Sequence, residues 1–283
     1  MAFASFEMRQ SDFASLLFFS LTGFLFCIYF SVDRLKFGHL IAVGIVVRLF
    51  FLLHLPSLSD DFYRFLWDGL VCLEGYNPYQ YTPSQFLDFI GNNPEYLDIF
   101  PALNSPDYYS VYPPLSQAIF TFTAWLSGPY PFYFQLILGT LFILTDVLLL
   151  VCLKYLLQII PLSSSWLPIY FLNPFVVFEF WGNLHFDLFL GLGFVLSLLF
   201  LFQNRYLLST AVIIGATCIK PQFILIAPFI LLLSPVKTKR LQVGLLYFLG
   251  CSLIYLPLIL SSGQLGFDDS LDLYFRKFEF NGS

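Results

Sequence analysis

Charge is scarce in this chain: Asp, Glu, Lys and Arg together make up 11% of its 283 residues. With 58% hydrophobic residues and a mean hydropathy of +0.79, a fold of this length cannot hide its apolar surface from water, which excludes a water-soluble globular domain. Basic clusters are missing as well. The net charge of −5 gathers in the segments after residue 57 and after residue 262, so nothing argues for a nucleic-acid partner. Of the five cysteines, Cys27, Cys152, Cys218 and Cys251 lie inside apolar runs and only Cys72 sits in a polar segment, which leaves no disulfide framework. HExxH spacing, a Walker loop and a GxSxG elbow are all absent, so zinc-protease, nucleotide-hydrolysis and serine-nucleophile chemistry lack support; no cofactor and no metal-ligand residues are read, and the need for a divalent metal is left open. No fixed-period repeat or low-complexity linker appears, which removes solenoids and arrays.

What the chain has in quantity is apolar and aromatic sequence. Aromatic residues reach 20%, a composition suited to lipid-facing and interfacial positions. Apolar runs occur at 13–32, 39–56, 114–130, 132–153, 166–181, 184–202, 206–219, 221–235 and 241–261. A spanning helix needs about 20 such residues, so the expected fold is an all-α integral membrane protein, one transmembrane domain over 1–283 with about eight or nine apolar helices. Several runs are short, and Asn173-Pro174 and Lys220-Pro221 interrupt 166–181 and 206–235, which predicts half-spanning helices around a cavity. The N-terminus carries one Arg and two acids before its first apolar run, with no small-residue cleavage site after it, so 13–32 reads as a retained helix.

Lys and Arg in short connections set the orientation. Arg34 and Lys36 mark one cytoplasmic loop and Lys237, Lys239 and Arg240 another, which puts 57–113 and the acidic tail with Asp268, Asp269 and Asp272 outside. Helix parity closes only if one run among 114–130, 166–181 or 206–235 does not cross. The loop 57–113 is the anomaly, because structureless loops beyond about 12–15 residues are uncommon and often functional. Phe62, Phe65, Leu66, Leu70 and Leu73 fall at helical spacing within it, which predicts an amphipathic helix on the membrane surface.

Two groups of residues carry candidate chemistry. Asp60 and Asp61 are adjacent carboxylates at a membrane boundary, where mutual repulsion and partial burial suit a general base; equally, Ser59 can cap a helix whose first turn favours acids. Trp67, Asp68, Asn77 and Tyr79 follow, pairing aromatic faces with polar groups as a sugar ring requires, although an interfacial aromatic belt has the same composition. Further on, Glu179, Asn183, His185 and Asp187 lie between two apolar runs, where ionisable residues are expensive and usually functional. His185 is read either as a phosphate ligand or as the partner of Asp187. Lys220 is the one basic residue between Arg205 and Lys237, and with Arg64 and His185 it supplies the positive charge an anionic lipid headgroup needs. Arg48, inside 39–56, reads either as a fourth member of this cationic set or, the preferred reading, as a snorkelling side chain.

Ser59-Asp60-Asp61-Phe62-Tyr63-Arg64 through Gly69, then Gly75-Tyr76-Asn77-Pro78-Tyr79, resembles the first outer loop of GT-C glycosyltransferases that use polyprenyl-phosphate sugars, in their bacterial mannosyltransferase-like branch. Val111-Tyr112-Pro113-Pro114-Leu115, Asn173-Pro174 with Glu179, Gly182 through Asp187, Ile219-Lys220-Pro221 and Phe278 through Gly282 follow in the same order. The resemblance implies an inverting transfer of a hexose, mannose first among candidates, from a polyprenyl-phosphate donor to a lipid or glycan acceptor. It places that chemistry at the outer face of a bacterial inner membrane. The implied base is Asp61 or Asp60, with Asp61 preferred; Arg64, His185 and Lys220 would hold the donor phosphate, and Trp67, Asp68, Asn77, Tyr79, Glu179, Asn183 and Asp187 the sugar or acceptor. Chains of this type continue through several more helices, so an end at Ser283 is read as a truncation that leaves C-terminal helices missing. The alternatives are a carrier or flippase of lipid-linked sugars, which also needs a cationic cavity and broken helices, and an inactive truncated scaffold.

Overall fold

A computed structural model describes residues 13–31, 36–56, 59, 61–91, 93–233 and 237–261. Asp60, Arg34 and the acidic tail after residue 261 lie outside these residues. The described residues are all-helical, with 78% of them in helix and no strand among them. The helices run in the order α1 (Phe13–Ser31), α2 (Phe37–Leu52), α3 (Asp61–Leu73), α4 (Pro83–Ile90), α5 (Pro94–Ile99), α6 (Pro114–Ser127) and α7 (Pro131–Ile159). They continue with α8 (Trp166–Phe171), α9 (Pro174–Val177), α10 (Asp187–Phe202), α11 (Tyr206–Ile219), α12 (Ala227–Leu232) and α13 (Lys237–Ser261). A π-helical turn, Phe178–Gly182, extends α9, and a 3-10 turn, Pro221–Leu225, precedes α12.

Proline does much of the punctuation. It occupies the first position of α4, α5, α6, α7 and α9, where its missing N–H is no loss and its fixed φ suits a helix start. The residue before it often adds a cap: Asn93 accepts from the Glu95 amide at 3.1 Å and Asn173 from the Phe175 amide at 3.0 Å. Thr82 and Gln85 form a full capping box ahead of α4. Pro221 acts in the opposite sense, forcing Lys220 into an extended conformation (φ −144°, ψ 118°) and stopping α11 at Ile219.

Among the described residues, α7 is the one helix long and apolar enough to cross a membrane by itself. Its 29 residues reach about 44 Å, beyond the roughly 30 Å of a hydrocarbon core. The pair formed by Pro174–Gly182 and Asp187–Phe202 passes the same test jointly but bends by 120°. The expected interruption of run 166–181 is present between α8 and α9, and this bend adds a second break at 183–186. The exterior stays apolar: Leu253 is 77% exposed, Phe229 71% and Leu207 69%.

Helix α3 forms as its spacing predicts but does not lie on a surface. Phe62, Phe65, Leu66, Trp67, Leu70 and Val71 are buried in the main core, chiefly against α6. Gly69 makes that approach possible, since a Cβ there would stand 2.6 Å from the Phe120 carbonyl oxygen. The seam is stacked aromatics, with the Phe65 and Phe120 rings 4.6 Å apart at 11°. On the far side of the bundle, α10 packs on α7 and α11, and α11 on α13.

Arg48 does not snorkel. It is fully buried, its Nε donating to Asp146 Oδ2 at 2.7 Å, its Nη1 to the Gly44 carbonyl and its Nη2 to the Phe171 carbonyl. Tyr170 donates to the other oxygen of Asp146 at 2.6 Å, so both buried charges are hydrogen-bonded as well as paired. A buried guanidinium needs acceptors on every edge, and these three neighbours supply them where no water reaches.

Candidate active site

Asp61 is the first residue of α3. Its amide donates to Ser59 Oγ at 3.3 Å, a contact that ties Ser59 to the start of the helix. The carboxylate stays partly open, with 32% of the side chain exposed. Asn104, from the loop before α6, donates through Nδ2 to Asp61 Oδ1 at 2.9 Å, and His185 Nε2 stands 3.8 Å from Oδ2.

His185 is brought there by the bend between the π-turn and α10. Leu184, fully buried, takes a left-handed φ of 54°, an uncommon conformation for a side-chain-bearing residue and one met at functional sites. Phe186 then anchors the bend by packing edge-on against Phe65 of α3, Phe120 of α6 and Phe142 of α7. The ring of His185 donates through Nδ1 to Glu179 Oε1 at 2.5 Å, because a carboxylate can only accept. Glu179 sits on the π-turn, a kind of irregularity frequent at functional sites, and its Oε2 accepts from Asn183 Nδ2 at 2.9 Å. Burial alone would lower the His185 imidazole, but the Glu179 bond and charge, with Asp61 behind them, outweigh it and raise its pKa above the ordinary value.

Lys220 completes the group by pairing with Asp187. Ser116, in the first turn of α6, donates to the Ile219 carbonyl at 2.7 Å and ties the end of α11 in place. His185 thus pairs with Glu179 while Asp187 takes Lys220, because the π-turn carries Glu179 under the imidazole. Glu179, His185 and Asp187 also present ligand atoms within 4.8 Å of one another, close enough to hold a metal ion, although two ion pairs already engage these side chains.

Arg64, Trp67 and Asp68 do not join this group. Trp67 is 1% exposed and boxed by Phe86, Tyr96 and Phe100, which leaves no open face for a sugar. Arg64 is buried; its Nε donates to Asp68 at 2.8 Å and its Nη1 to the carbonyls of Ser105 and Tyr108, each at 3.0 Å. Asp68 also accepts from Ser110 and, at 2.9 Å, from Gln117. Together they pin the loop at 105–110 to α3. Asn77 and Tyr79 shape the turn that follows, the Tyr79 amide donating to Asn77 Oδ1 at 2.9 Å and its hydroxyl to the Tyr112 carbonyl. Asn104 was not singled out from sequence, since a lone Asn in a polar loop carries no signal; the Arg48–Asp146 pair did carry one, in opposite charges within two apolar runs.

The Asp61 carboxylate, a histidine held by an acid and a lysine–carboxylate pair form a partly open polar cluster, with the means to accept a proton and to meet an anion. No curated protein and no solved structure gives a significant match to the chain. The family model for the N-terminal domain of alpha-(1->6)-mannopyranosyltransferases matches residues 27–235, a stretch that contains every residue of this cluster, and the chain belongs to that family.

Proposed function

We propose that the chain is a GT-C-type, multi-pass membrane mannosyltransferase that moves mannose from a polyprenyl-phosphate donor to a mannoside acceptor at the outer face of a bacterial inner membrane. Family membership supports a mannosyltransferase. The donor is supported by the apolar exterior, which suits a lipid-linked substrate, and by Lys220, paired with Asp187 in the cluster that His185 links to Asp61. The outer face is supported by Lys36, in the connection between α1 and α2, and by Lys239 and Arg240 in the first turn of α13, both assigned to the cytoplasmic side.

The observation that carries this reading is the convergence of Asp61, from the segment after α2, with His185 and Lys220, from two later breaks in the bundle. Asp61 takes the proton from the acceptor 6-hydroxyl as that oxygen forms its bond to the anomeric carbon. The bond from that carbon to the phosphate oxygen breaks on the opposite face, and the polyprenyl phosphate leaves with its charge met by Lys220. A β-linked donor yields the α-linked product by this inversion. Glu179, Asn183 and Asp187 hold His185 and Lys220 in place. The test is transfer of radiolabelled mannose from a synthetic β-mannosyl polyprenyl phosphate to octyl α-mannoside in detergent, where a carrier would consume no donor. Asp61→Asn is expected to lower turnover at least a hundredfold; undiminished transfer by that variant would remove Asp61 as the base.

A further inference from the structure

The Asp61 carboxylate has two oxygens with different surroundings. Oδ1 accepts from Asn104 Nδ2 at 2.9 Å, whereas Oδ2 faces His185 Nε2 at 3.8 Å, beyond hydrogen-bond distance. The amide of Asn104 has an assigned direction: Ser105 Oγ donates to its Oδ1 at 2.9 Å, so the NH2 end points to Asp61. Asn104 is itself delivered by the buried Arg64, which holds the Ser105 carbonyl through Nη1 and is held in turn by Asp68. Arg64 lies one helical turn beyond Asp61 on α3, so one helix carries the carboxylate and also fixes the loop that touches it.

We propose that Asn104 is a positioning residue for the Asp61 base: its amide fixes the plane of the carboxylate through Oδ1 and leaves Oδ2 as the oxygen that accepts the acceptor's proton. This rests on the reading of Asp61 as the base. A carboxylate at the start of a helix can rotate about its side-chain torsions, and an unfixed one spends little time aligned with an incoming hydroxyl. One directed N–H bond removes that freedom without occupying the reactive oxygen. Misplacement of a reacting group by about an ångström lowers rate on the order of a hundredfold.

The experiment compares full-length wild type, Asn104→Ala, Asn104→Asp and Asp61→Asn in the same detergent assay, with synthetic β-mannosyl polyprenyl phosphate and octyl α-mannoside. Asn104→Ala is expected to lower kcat about ten- to a hundredfold with the donor KM within twofold of wild type. Asn104→Asp keeps the shape but sets a second carboxylate against Oδ1, so kcat falls and the acid limb of its pH profile moves to higher pH, a shift that mere loss of packing would not cause. If Asn104→Ala does not fold, the Asn104→Asp profile decides alone. Should Asp61→Asn be inactive while both Asn104 variants keep wild-type kcat and pH profile, the positioning role is overturned and the base stands. An active Asp61→Asn overturns both.

Discussion

The His185 ring gives Nδ1 to Glu179 and turns Nε2 toward Asp61, so its charge bears on two carboxylates at once. Its pKa is raised on folding, and the stability it contributes is therefore fully present below the unfolded value, about 6.5, and lost as pH rises through the higher folded value. The difference in thermal midpoint between wild type and His185→Gln is accordingly expected to be largest below pH 6.5 and to shrink as pH rises, measured in one detergent across a buffer series. Lys220→Met removes a charged donor and is expected to raise the donor KM about tenfold or more, read from initial rates. Glu179, His185, Asp187 and Lys220 drew attention because an ionisable group beside apolar runs is expensive, and Asp61 because it adjoins a second carboxylate at the start of the polar segment. Arg64, Trp67 and Asp68 have the right chemistry for a sugar-phosphate site, but residue type does not reveal burial, and all three are buried. Asn104 acts only through a contact across 43 residues, which spacing does not encode.

Helix α3 is the element on which the candidate site depends, since it begins at Asp61 and carries Arg64 one turn on. Its closeness to α6 has no slack at Gly69, where a methyl would meet both the Phe120 carbonyl at 2.6 Å and the Ala124 side chain at 2.9 Å. Gly69→Ala is expected to destabilise the protein by about 1–3 kcal/mol despite the better helix propensity of Ala, with turnover reduced as Asp61 shifts, both checked by thermal unfolding and the mannose-transfer assay. The period of Phe62, Phe65, Leu66 and Leu70 correctly marked a helix with one apolar face. It did not say what covers that face, because lipid and protein make the same demand on a hydrophobic stripe. The break at Asn173-Pro174 was legible in the sequence, whereas Pro83-Ser84, which reads as a turn, opens α4 because Thr82 and Gln85 cap it. The sharp turn at Leu184 was not, because a left-handed leucine is imposed by its surroundings and not by its own preference.

For the whole bundle, the Arg48–Asp146 pair joins α2 to α7 in its interior. Arg48→Met leaves Asp146 buried with only Tyr170 beside it and is expected to lower stability by about 3–5 kcal/mol, whereas Arg48→Met with Asp146→Leu recovers most of that loss, both read from denaturation in micelles. The two charges are 98 residues apart in the chain. At synthesis rates of about 5–20 residues per second, Arg48 emerges roughly 5–20 seconds before its partner exists. Through that interval a guanidinium in a nascent apolar segment has to be held by water, phospholipid or the insertion machinery, since the groups that will satisfy it, Asp146 and the Phe171 carbonyl, are still unmade. The pair that closes the finished bundle thus sets an order on its birth: α2 can settle into its final depth only after α7 arrives.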